Sequence, residues 1–139
     1  MKLFTVNQLR YSGMLILFTL LFRYGLSSLL NMAEFTWAWV IAVIYGILIF
    51  ATAWHLAKND YDSHLFSDIG FRLHLLTYLV CNIIAETWFL LDLQSSHESI
   101  WTVHLTAIFW GIGLMIHFVL FLIARKNTIR GIDKSEIFE

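Results

Sequence analysis

Apolar residues along this chain gather into four long runs, Tyr11–Leu30, Thr36–Ala57, Leu73–Leu93 and Ile100–Ala124, divided by polar breaks. Each run holds about 20 or more residues, which at a rise of about 1.5 Å per residue crosses a hydrocarbon core of roughly 30 Å. With no water in that core to satisfy backbone N–H and C=O groups, such a run is helical. The breaks at 31–35 and 94–99 leave room only for tight turns, while 58–72 is longer and polar. The pattern predicts an all-α integral membrane fold: a four-transmembrane-helix bundle made of two tandem hairpins. It forms a single membrane domain over 1–139, with a tail at 125–139.

Polar residues inside the runs are few and regularly placed. In HLLTYLVCNIIAE, residues 74 to 86, His74, Tyr78, Asn82 and Glu86 recur every fourth position, which sets them on one slanting helix face. Thr19, Arg23 and Ser27 repeat that spacing in the first run, with Ser12 seven residues before Thr19. Polar groups in lipid need partners or a task, so two such stripes predict pairing across a helix interface. Arg23 lies 13 residues beyond Arg10 and Glu86 lies 14 beyond Arg72, so the two are level. An unpaired charge at depth costs about 3 to more than 10 kcal/mol, and the expectation is a buried Arg23–Glu86 ion pair with His104 near enough to join it. The pair would fix how the hairpins dock or would relay a proton or ligand; otherwise Arg23 would snorkel to the headgroups.

Composition agrees with the pattern: 59% of the 139 residues are hydrophobic and 14% charged, against roughly 45–50% apolar in a soluble domain. With no proline, nothing interrupts the helices from within. The net charge of −1 hides an asymmetry. Lys2, Arg10, Lys58, Arg72, Arg125, Lys126, Arg130 and Lys134 all fall at the N-terminus, the middle loop or the tail. By the positive-inside rule that side is cytoplasmic, with both termini inside and both short turns outside, in a multi-pass protein of the cytoplasmic (inner) membrane. Trp37, Trp39, Trp88 and Trp101 lie near the opposite boundary, where indole rings anchor at headgroup level.

The two hairpins look related. LRYSGMLILF precedes a turn and WAWVIAVIYGILI, and FRLHLLTYLV precedes a turn and WTVHLTAIFWGIGL. From about 69 to 126, the string FRLHLLTYLVCN followed by a tryptophan and FWGIGLMIH resembles the bacterial two-transmembrane-helix (2TM) domain family. His74, Tyr78 and Asn82 match that family's first helix, and Trp101, Trp110, Gly111, Gly113, Leu114 and His117 its second. Residues 9–58 would then be a degenerate second copy. The resemblance implies a helical hairpin of unassigned biochemical activity that occurs alone or attached to signalling modules. By spacing, Trp110, Gly113 and His117 fall on one face of the fourth run, and glycines there permit close packing of helices.

Six histidines raise haem or metal ligation, with His55, His74 and His117 the best placed, since all lie at the same end of their runs. His104 and His117 are thirteen residues apart and do not share a face, and no H-x-x-x-H or C-x-x-C pair occurs, so no cofactor is expected. Cys81 lies in an apolar segment and reads as small filler. No nucleophile elbow, phosphate loop, metalloprotease helix or paired intramembrane aspartates are present, which argues against an enzyme. Two functional classes remain. One is a sensory or partner-recruiting membrane module, in contact with lipid, with a signalling protein or with its own copies. The other is a subunit of an oligomeric pore or carrier whose path is lined by Arg23, His74, Asn82 and Glu86. Nucleic acid is not an expected partner.

Overall fold

A computed structural model describes residues 5–58 and 66–130. They form four helices: α1 (Val6–Asn31), α2 (Phe35–Lys58), α3 (Phe66–Leu90) and α4 (Ile100–Arg130). Each is long and apolar enough to cross a membrane, which defines a helical bundle of the multi-pass membrane class. Helix α3 begins seven residues before the apolar run, and α4 continues into the tail as far as Arg130. Hydropathy marks the limit of the lipid, not of the helix, and no proline stops either end. The expectations placed on Lys2 and Lys134 lie outside the described residues.

Helix α1 starts at a capping box legible as TVNQ. Thr5 Oγ1 accepts from Gln8 N at 3.1 Å, and Thr5 N donates to Gln8 Oε1 at 3.2 Å. Both tight turns close in the same way. Ala33 (φ 59°) and Asp92 (φ 56°) take the left-handed conformation just past α1 and α3. Glu34 N reaches back to Leu29 O and Leu93 N to Trp88 O, which is the Schellman closure in each hairpin.

The hairpins dock through their first helices. Helix α1 packs on α2 and α3, α3 packs on α4, and α2 and α4 do not pack on one another. The α1–α3 contacts ascend together, Tyr11 with Thr77 and Ser27 with Trp88, so these two helices are parallel. The buried stripe of α1 is Gln8, Tyr11, Leu15, Thr19, Arg23 and Ser27, at spacings of three and four. Tyr11, Leu15, Ala57, Ile69 and Leu73 form the apolar core near the termini end. Helix α4 is an outer rod, with 0% of its membrane-length window buried.

Candidate functional site

Along the α1 stripe the polar groups form three rungs, each joining the two hairpins. A hydroxyl has one proton to give. Thr77 Oγ1 gives its proton to Leu73 O at 2.7 Å, so Tyr11 Oη donates to Thr77 Oγ1 at 2.7 Å. One level up, Thr19 Oγ1 donates to Leu15 O at 2.7 Å, and Tyr45 Oη therefore donates to Thr19 at 2.8 Å. The Cys81 thiol then donates to Tyr45 Oη at 3.2 Å. Cys81 is thus a hydrogen-bonded member of an interface and not merely filler. Tyr45 is held in place by stacking on Phe22, with ring centroids 4.3 Å apart.

The third rung lies at the turn end. Arg23 Nη2 approaches Glu98 Oε2 at 2.8 Å, with both side chains more than nine-tenths buried (9% and 7% exposed). Glu98 Oε1 accepts from Ser27 Oγ at 2.5 Å and from Ser95 N at 3.0 Å, while Trp88 Nε1 donates to Ser27 Oγ at 2.9 Å. The guanidinium sits 6.0 Å from the Trp88 ring centroid and 5.6 Å from that of Phe89. Its approach to Glu98 is off the hydrogen-bonding line, and Arg23 Nε has no acceptor among the described residues.

The expected Arg23–Glu86 pair is therefore replaced by Arg23–Glu98. The two residues are level, as reasoned, but level does not fix azimuth. Glu86 bonds His104 instead, Nε2 to Oε1 at 3.0 Å, with both side chains about half exposed (48% and 46%). The true partner lies in the turn, where Ser95-x-x-Glu98 has the spacing of a capping box, met here by the Ser95 N–H to Glu98 Oε1 bond alone and ahead of α4, which begins at Ile100. That signal was legible in the sequence; what was not legible is that the capped turn folds inward over α1.

The α3 stripe likewise faces a different neighbour from the one anticipated. His74, Tyr78 and Glu86 turn towards α4, where His74 meets His117 (centroids 5.2 Å), Tyr78 meets Trp110 edge-on (5.7 Å, 88°) and Glu86 meets His104. Asn82 donates Nδ2–H to its own Tyr78 carbonyl at 2.7 Å, a back-bond that lets an amide persist in lipid. On α4, Gly111 lies beneath Tyr78, whose Oη would be 3.3 Å from an added Cβ, and His117 stacks on Phe71 (6.1 Å, 14°). Leu114 is half-buried. Gly113 does not share this face: it sits about 60° round from Trp110 and nothing lies within 4 Å of its missing Cβ. Trp101, 72% exposed, stands edge-on to His104. His55 is exposed on α2. Among the described residues no three His, Cys, Asp or Glu side chains gather as a metal site.

Because α2 and α4 stand apart, the α1–α3 seam is left open as the floor of a groove. Two cavities of about 490 Å³ and 270 Å³ lie along it and share Tyr45, Ile49 and Trp110 as their common wall. The larger runs towards the termini end past Trp54, Leu73 and His74; the smaller reaches Arg23 and Thr102 towards the turns. Of the four residues proposed to line one path, Arg23, His74 and Asn82 border the groove. Comparison of the chain with protein-family models, curated proteins and solved structures finds no match in any of the three.

Proposed function

We propose that the chain is a small membrane module, without catalytic machinery of its own, that senses or recruits by seating a hydrophobic element in the groove between α2 and α4. The observation that carries this reading is the separation of α2 from α4 over two adjoining, mainly apolar cavities floored by hydrogen-bonded rungs. In the groove's floor the hydroxyl and thiol donors of Tyr11, Thr19, Tyr45, Thr77 and Cys81 are all paired. Of its walls, α2 is held by α1 and more lightly by α3, and α4 packs on α3 alone. Such a site accepts a guest from within the bilayer and couples it to the spacing of the two outer helices.

The chain sits in the cytoplasmic membrane with both termini and the 59–65 segment inside, a topology supported by the grouping of its cations and by the parallel run of α1 and α3. Its basic end, Arg125, Lys126, Arg130 and Lys134, is the surface for a signalling partner or anionic lipid. The second hairpin is a unit of the 2TM kind, a reading supported by the meeting of His74, Tyr78, Trp110, Gly111 and His117 across α3 and α4. The pore reading is less well supported, since Glu86 is engaged by His104 and does not line the groove.

A photoreactive residue at Ile49, on the groove wall, and another at Ile112, exposed on α4, test the proposal in native membranes. An adduct at 49 enriched in one component is expected, against adducts at 112 in the proportions of the bulk membrane; the same adduct profile at both positions refutes a dedicated groove.

A further inference from the structure

We infer that the groove's occupant is one ester-linked acyl chain of a membrane phospholipid, drawn from the leaflet at the turn end, with its ester carbonyl against Arg23. This rests on the groove reading above. Three observations converge on it. First, Arg23 borders the smaller cavity, is 8% exposed, and has Nε buried without a hydrogen-bond acceptor, while Nη2 faces Glu98 Oε2. Glu98 already supplies the counter-charge at 2.8 Å, so the missing partner is a neutral acceptor, not a second anion. A carbonyl oxygen meets that need where a free carboxylate or phosphate would add uncompensated charge.

Second, the level is right. Ser27 bonds the indole of Trp88, and indole rings favour the headgroup region, so Ser27 marks that boundary. Arg23 lies one helical turn deeper, about 6 Å, where acyl esters meet the hydrocarbon. Third, the slot fits a chain. From Arg23 down to Tyr11, at the floor of the larger cavity, is about 18 Å along α1, against roughly 15 Å for one leaflet of hydrocarbon. Its walls are apolar and aromatic: Phe22, Ile49, Phe50, Trp54 and Trp110.

The test titrates the purified full chain in detergent with a phosphatidylglycerol bearing two ester-linked chains and with its diether counterpart, which keeps headgroup and chains but lacks both carbonyls. Native mass spectrometry reads the retained lipid. The ester is expected to be held about tenfold more tightly than the ether, the discrimination of one hydrogen bond to a charged donor. Arg23→Lys, which keeps a cation for Glu98 but removes Nε, should erase that preference. Ile49→Trp, which fills the waist where the cavities meet, should abolish retention of both lipids. Equal retention of ester and ether, lost in Ile49→Trp, would overturn the carbonyl contact and leave the groove reading standing. Equal retention unchanged by Ile49→Trp would overturn both.

Discussion

Removing the Glu98 carboxylate should unfold this protein more readily than removing any other acid among the described residues. At 2.8 Å the Arg23–Glu98 attraction is about 6 kcal/mol at an effective dielectric of about 20. Desolvating the two ions takes back several kcal/mol each, so the intact pair adds little net stability over an apolar pair of similar size. Breaking one side is different. Glu98→Ala leaves Arg23 buried and charged, and also strips the acceptor from Ser27 Oγ and Ser95 N. The expected loss is about 3–5 kcal/mol. Glu86→Ala, at a pair whose side chains are about half exposed, should cost no more than about 1 kcal/mol. Reversible denaturation in mixed micelles, followed by circular dichroism, measures both. The double variant Arg23→Met with Glu98→Leu should recover at least about 2 kcal/mol relative to the sum of the singles. Equal losses from Glu98→Ala and Glu86→Ala, or simple additivity in the double variant, would refute the reasoning.

The same denaturation assay checks three further expectations. Tyr11→Phe, which removes the 2.7 Å bond to Thr77 at a residue 1% exposed, should cost about 1 kcal/mol, while Tyr24→Phe, at a residue 69% exposed, should stay within about 0.5 kcal/mol of wild type. Ala33→Gly relieves a left-handed alanine at φ 59° and should raise stability by about 0.5–1 kcal/mol. Gly111→Leu drives a branched side chain into Tyr78, whose Oη stands 3.3 Å from the Cβ position, and should cost about 1–3 kcal/mol. The same change at Gly113, where the space is open, should leave stability unchanged or raise it by up to about 1 kcal/mol, because leucine has the higher helix propensity.

The candidate site was partly legible before any fold was known. The i, i+4 recurrence of Thr19, Arg23 and Ser27 correctly marked the buried face of α1, because in a bilayer polar side chains turn from lipid whatever they then meet. The 74, 78, 82, 86 recurrence marked a real interface too, though the neighbour is α4 and not α1. Tyr45 escaped notice altogether: a single tyrosine in an aromatic-rich helix carries no periodic signal, and only its neighbours Thr19, Phe22 and Cys81 give it a role.

Sequence by itself determined the four rods and the two tight turns, since hydrocarbon thickness and backbone hydrogen bonding leave a long apolar run no other form. It determined as well that the rods carry polar stripes, because helical periodicity is a local property. Tertiary structure alone decided which stripe faces which helix, that Glu98 and not Glu86 answers Arg23, and that α2 and α4 stand apart to leave a groove. Those outcomes depend on the azimuth of each rod and on how a turn folds back over its neighbour. Azimuth is set by the sum of many weak packing contacts between segments distant in sequence, which no local pattern encodes.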